Sequence, residues 1–145
     1  MLLQPTSFLR QTGLAFIVST LLVILSGCAP TAEDQPEVGF VTGMVTLDAE
    51  PVSGAVVTFA PESGRPSTGI TDIEGKFELA YNPKVKGAKI GKHIVRISTQ
   101  RYVENADGST TEMKETIPAK YNSESTLTVE VKAGENDFPF ALDKE

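Results

Sequence analysis

Two hydrophobic rhythms divide this chain. From Gly13 to Leu25 almost every position is apolar (GLAFIVSTLLVIL), with Ser19 and Thr20 as mild interruptions. From Val38 onward the period falls to two, and short alternating runs are separated by Gly, Pro, Asp and Asn. A continuous run suits a lipid or signal-recognition environment, whereas alternation suits strands that bury one face.

Seven alternating runs are predicted as strands. In FVTGMVTL, Val41, Val45 and Leu47 share a face, and Ala49-Glu50-Pro51 breaks the run. AVVTFA follows with Val57 and Phe59 together and is closed by Pro61; a loop through Gly64 and Pro66 leads to TGIT. Asp72-Ile73-Glu74-Gly75 reads as a turn into KFELAY, which presents Phe77, Leu79 and Tyr81. HIVRIST sets His93, Val95 and Ile97 on one side, TLTVEVK sets Leu127, Val129 and Val131, and DFPFAL sets Phe138, Phe140 and Leu142. No helical period of any length appears. Seven half-buried strands find their simplest partner in each other, as a seven-stranded antiparallel β-sandwich over residues 38–145. Pro139 inside the last run places that strand at an edge. The exception to short spacing is the polar stretch 100–119, a long loop expected to be either disordered or a plain hairpin about Asp107-Gly108, with a partner-binding segment as the alternative.

The N-terminal run has a different meaning. Its 13 residues are short for a membrane span of about 20, and fit the 7–15-residue apolar region of a secretory signal. Leu25-Ser26-Gly27-Cys28 follows directly and resembles the bacterial lipobox. The expectation is a lipoprotein signal peptide over 1–27, cleavage between Gly27 and Cys28, and covalent lipid (diacylglycerol and acyl chains such as palmitate) on the Cys28 sulfur and new amino terminus. Stable anchoring takes two lipid signals, which that modification supplies. Residues 28–37 then form an extended, solvated tether, with two prolines and three acids after the cysteine.

Composition narrows the function classes. The single cysteine allows no internal disulfide, so the fold must hold by burial. Thirteen basic residues stand against 19 acidic ones, a formal −6, and removing the signal deletes Arg10. Without a basic cluster, nucleic acid is not an expected partner.

Gly43-x-Val45-Thr46-Leu47-Asp48, Pro51-Val52-x-Gly54-Ala55, Val57-Thr58-Phe59, Thr71-Asp72-x-x-Gly75-x-Phe77, Gly91-x-His93-x-Val95 and Pro118-Ala119-Lys120-Tyr121-Asn122 together resemble the carboxypeptidase-regulatory-like, transthyretin-type domains. The narrower resemblance is to their small lipobox-bearing members in planctomycetes. It extends over residues 40–142 and implies a prealbumin-like sandwich acting as an accessory or interaction module.

The chemistry-bearing residues point the same way. His93 shares parity with core positions and is read as a hydrogen-bonded packing residue at the sandwich rim, with partner contact as the alternative. Zinc needs three or four ligands, and neither a second histidine nor a free thiol is expected. No G-x-S-x-G elbow is present. Asn105-x-Asp107-x-Ser109 suggests a calcium loop, but an EF-hand glycine and glutamate would fall on Thr110 and Thr116. With no tryptophan, exposed aromatic contact rests on Tyr102 and Tyr121. The expected function is a non-enzymatic, membrane-anchored envelope lipoprotein on the non-cytoplasmic side, without catalytic or metal residues. It needs no cofactor beyond its lipid, and its partner is an envelope protein or wall component. The alternative is a small-ligand or carbohydrate-binding module using the 100–119 region.

Overall fold

A computed structural model describes residues 36–145. The expected signal peptide over 1–27 with Gly27, the expected lipidation site Cys28 and the part of the expected tether before Pro36 lie outside the described residues.

The described chain is all-β. Its strands are β1 (Val38–Leu47), β2 (Glu50–Pro51), β3 (Val56–Pro61), β4 (Ser67–Ile70), β5 (Lys76–Glu78), β6 (Ala80–Asn82) and β7 (Val85–Lys86). There follow β8 (Ala88–Lys89), β9 (Gly91–Ser98), β10 (Arg101–Glu104), β11 (Thr110–Met113), β12 (Thr128–Val131) and β13 (Glu135–Leu142), with a 3₁₀ turn at Ala119–Tyr121. One sheet is built on β1, which pairs along its length with β13 on one side and successively with β2, β5 and β8 on the other. The second sheet runs β12-β9-β3-β4-β6-β7.

The sandwich class matches the sequence expectation, but the strand count and one ladder do not. KFELAY, a single run in sequence, divides at Leu79. β5 pairs with β1 in one sheet, while β6 pairs with β4 in the other. Leu79 makes the switch, donating its N–H to Val41 O at 3.0 Å and accepting from Gly87 N at 2.6 Å. β7 and β8 divide between the sheets in the same way. A period of two specifies which side chains go inward and is preserved across such a switch, so the pattern cannot reveal it. The other departure is β1 with β13, which are parallel from Phe40↔Glu135 to Leu47↔Leu142.

The predicted inward faces are the observed core, except that Tyr81 is only half-buried and lies outside it, with Arg65 Cζ 5.5 Å from its ring centroid. Val41, Val45, Val57, Phe59, Leu79, Val95, Ile97 and Val131 are fully buried; Leu47, Phe77, Phe140 and Leu142 are nearly so. Leu127, Val129 and Phe138 are half-buried against this cluster. Phe59 is its centre, with ring centroids 6.5 Å from Phe77, 5.6 Å from Phe138 and 6.2 Å from Phe140. Such tilted contacts add to the apolar burial of each ring.

Two turns join the sheets. Asp72 Oδ1 accepts the N–H groups of Glu74 and Lys76, each at 2.9 Å, and Gly75 takes φ 76°. A Cβ on Gly75 would lie 2.5 Å from Val45 O, so glycine is needed there for space as well as conformation. The buried Thr71 binds the facing turn: its Oγ1 accepts Ala55 N at 2.8 Å, and its carbonyl accepts Gly54 N at 2.9 Å.

Pro139 does lie on an edge strand. The carbonyls of Gly134 and Leu142 accept from Phe40 N and Asp48 N, at 2.8 and 2.9 Å. Backbone groups alternate in direction along a strand, so Pro139, out of phase with both, faces the outer edge. Its missing N–H interrupts that edge and costs no bond to β1.

Candidate functional site

The polar stretch after β9 is the most distinctive surface element. β10 and β11 form an antiparallel hairpin, Arg101↔Met113 to Glu104↔Thr110, closed by Asp107-Gly108. Asp107 Oδ1 accepts both the N–H and the hydroxyl of Ser109, at 2.9 and 2.6 Å, and these bonds lower its pKa. Asn105 Nδ2 donates to Ser109 Oγ and Thr111 Oγ1, both at 2.9 Å. The residues that suggested a calcium loop therefore satisfy one another in closing a turn.

Glu115 fastens the base of this hairpin. Its Oε1 accepts from Thr99 N, Thr99 Oγ1, Thr116 N and Ile117 N at 2.9–3.0 Å, and its Oε2 accepts from Ser98 Oγ at 2.5 Å. Partial burial opposes ionisation, but the bonds from Ser98, Ile117 and Thr99 outweigh it and hold the carboxyl below the usual glutamate value. Directly after this clamp, Ile117 turns into the core and is almost fully buried. Sequence reading missed both residues, because a lone isoleucine near the end of a largely polar twenty-residue stretch carries no period. The Ile-Pro step before the 3₁₀ turn was the available signal.

Between the hairpin base and the β1–β2 turn lies a cleft of about 300 Å³. Leu47, Pro51, Val52 and Met113 give it apolar walls, while Lys114 and Lys144 supply positive charge. Lys144 Nζ also pairs with Asp48 at 3.3 Å. Glu50 lines it as well, so both signs of charge meet there. Thr99, in its wall, directs its hydroxyl to Glu115 Oε1 and Lys114 O, both at 3.0 Å.

The three candidate contact residues have different surroundings. Tyr102 stands on β10, 71 % exposed, opposite Glu112. Tyr121 is half-buried against the core, and its hydroxyl donates to Asp143 Oδ2 and accepts Asp143 N, both at 3.3 Å. Lys120 bonds Asp143 Oδ1 at 2.5 Å and lies 5.0 Å from the Tyr121 ring centroid. The Lys120 bond lowers the Asp143 pKa, and the same bond raises that of Lys120. This is a latch on the C-terminal end of β13. His93 is 2 % exposed, its Nε2 donates to Lys89 O at 2.7 Å, and its ring lies 5.8 Å from that of Phe59. That matches a hydrogen-bonded packing residue; Nδ1 is buried without a hydrogen-bond partner. Among the described residues no hydrogen bond, ion pair or ring contact joins any two of the three. Nor is any group of three or more His, Cys, Asp or Glu among them placed to hold a metal ion. No helix of the described residues is long and apolar enough to cross a membrane.

No family model matches the chain, and no curated protein matches it. Among solved structures, a 9R-lipoxygenase from Cyanothece aligns with 76 % of this chain and 17 % of its own, at 18 % identity and a TM-score of 0.42. A DUF3823 family protein from Parabacteroides merdae aligns over 74 % of this chain and 46 % of its own, at 14 % identity and a TM-score of 0.39. The chain thus spans less than half the length of either protein that it resembles in part.

Proposed function

We propose that this chain is a non-enzymatic lipoprotein of the bacterial cell envelope, anchored through lipid on Cys28. Its β-sandwich, on the non-cytoplasmic side, serves as an accessory or interaction module of the transthyretin-like, carboxypeptidase-regulatory-like kind. The observation that carries the reading is Leu25-Ser26-Gly27-Cys28 at the end of the Gly13–Leu25 apolar run. A lipid-modifying enzyme needs a thiol just beyond an apolar segment, with small residues before it leaving the sulfur accessible. The tether up to Glu37 is long enough to separate β1 from lipid headgroups, reaching at most about 3.5 Å per residue. The hairpin and its cleft support an interaction role, since a rigid scaffold carrying a long loop is a common arrangement for binding.

Fractionation with labelled palmitate tests the anchor. The wild type is expected to take up label and sediment with membranes, and Cys28→Ser to lose both properties. Equal membrane partitioning of the two, with no label in either, would refute it. A second reading, a small-ligand or carbohydrate site in the 100–119 region, is favoured by the 300 Å³ cleft and the exposed Tyr102 ring. Crosslinking pull-down separates them: a protein partner lost on deleting the hairpin supports the first, and glycan-array binding without such a partner supports the second.

A further inference from the structure

Two adjoining grooves open at the end of the sandwich where β1 begins. One, of about 200 Å³, lies along Lys89, Ile90 and Gly91; the other, of about 290 Å³, runs over Ala60, Ile94 and Arg96. Pro61, Glu62 and Lys92 line both. Strand alternation builds the second. Lys92, Ile94 and Arg96 point outward from β9 between the buried His93, Val95 and Ile97, and Ile94 sits between Ala60 of β3 and Thr128 of β12. Ile94 is 42 % exposed, which leaves an apolar floor between two cations.

Among the described residues, none of Lys89, Lys92 and Arg96 makes an ion pair. Lys89 Nζ instead donates to Ser63 O at 3.2 Å, which holds it beside the first groove. Glu62 is the one acid in either lining, and Glu130 stands opposite Lys92 on β12. The connections at this end add Arg65 after β3, Lys84 after β6 and Lys132 after β12, with Glu37 and Glu135 as further acids. Six cations therefore meet four acids here. The rest of the described chain, with the Lys86–Glu78 ion pair set aside, carries five cations against twelve acids. No run in the sequence announces this polarity, because separate strands and connections supply its cations.

We infer that this face docks the domain on the headgroups of an anionic phospholipid bilayer. Lys89, Lys92 and Arg96 meet the phosphates, and Ile94 and Pro61 meet the boundary with the acyl chains. The inference rests on the lipid-anchor reading and adds how the domain is oriented. The described chain enters the sandwich at this same end, where Glu37 O accepts Ile90 N at 3.0 Å. The residues from Cys28 to Val38 span at most about 35 Å, so lipid on Cys28 confines the grooves close to the surface. Basic side chains feel an anionic surface only within a screening length of about 8–10 Å. Confinement by the anchor supplies that approach, which a few cations would not sustain from free solution. The acidic remainder of the domain is repelled, and this fixes which end faces the lipid.

Trace acetylation of the lipidated protein tests the docking. Labelling is read by mass spectrometry on phosphatidylcholine vesicles with and without phosphatidylglycerol. Lys89 and Lys92 are expected to label about fivefold more slowly on the anionic vesicles, with Lys114 and Lys144 unchanged. Sodium chloride at about 1 M, which shortens the screening length to about 3 Å, should abolish the difference. Arg96→Glu should abolish it too, in a protein that still floats with both kinds of vesicle. Equal labelling of Lys89 and Lys92 on the two vesicles, in wild type that floats with both, would overturn this inference and leave the anchor standing. Protein that floats with neither would overturn the anchor reading and this inference with it.

Discussion

At the scale of single residues, the two tightest turns make opposite demands on the side chain. Asp48 and Ala49 both have positive φ, 52° and 67°, in the two-residue connection from β1 to β2. Aspartate tolerates that region, whereas alanine pays roughly 1 kcal/mol or more for its Cβ. Ala49→Gly is therefore expected to stabilise the domain by about 0.5 kcal/mol, after the greater freedom of glycine in the unfolded chain is subtracted. The reading is a higher urea midpoint at unchanged slope; a lower midpoint would contradict it. Gly75 behaves in the opposite sense. Its φ of 76° and the 2.5 Å approach that a Cβ would make to Val45 O predict a loss of roughly 2 kcal/mol or more for Gly75→Ala. Gly75 was legible in advance, because Asp72-x-x-Gly75 is turn chemistry at a fixed spacing. Ala49 was not, since such turns favour Asn-Gly or Asp-Gly and Asp-Ala-Glu-Pro reads only as a break.

At the scale of elements, the β10–β11 hairpin depends on one carboxylate. Sequence spacing revealed the hairpin through Asp107-Gly108, but not its fastening, because Glu115 gathers donors from two segments 15 or more positions apart in the chain. The sign of its pH dependence follows from its lowered pKa. A carboxyl with a depressed folded value contributes its full stabilisation above the ordinary value of 4.5, and loses it as the pH falls from there through the lowered one. Hydrogen bonds to a charged group contribute about 1.5–3 kcal/mol in favourable cases, but Glu115 is partly open to water, so Glu115→Gln is expected to cost about 1 kcal/mol. Amide hydrogen exchange at Thr99, Thr116 and Ile117 provides the readout. Protection in the wild type should fall on acidification below pH 4.5 once the intrinsic exchange rate is corrected for, and Glu115→Gln should show that weakened state at neutral pH. Identical protection in both proteins at neutral pH would show that the carboxylate does not fasten the hairpin. The strand switch at Leu79 belongs to this scale too. Alternation places Phe77, Leu79 and Tyr81 on one face, but is blind to which neighbour supplies the hydrogen bonds on either side of Leu79.

At the scale of the whole molecule, the domain is closed by its two ends. β1 and β13 are paired in parallel over eight positions, so nearly the entire domain lies in the connection between them. Alternation told which faces of these strands are buried, yet nothing local in either strand names the other, because this pairing is decided by where the intervening sheets leave space. Two adjacent residues of β13 separate core packing from edge protection. Phe140 packs against Phe59 at 6.2 Å and against Phe77 at 6.1 Å, and is almost completely buried. Phe140→Ala is expected to cost about 3–5 kcal/mol, a large share of the roughly 5–15 kcal/mol that keeps a domain folded. Thermal unfolding by circular dichroism measures it, and a loss below about 1 kcal/mol would mean that β13 does not pack as described. Pro139 points away from the core and away from β1, so Pro139→Ala should leave the unfolding midpoint nearly unchanged. It also restores an N–H to the open edge, where another strand can pair. Sedimentation at increasing concentration is therefore expected to show self-association in Pro139→Ala and none in the wild type. A monomeric Pro139→Ala at every concentration would remove the edge-blocking role and leave that proline without a structural account.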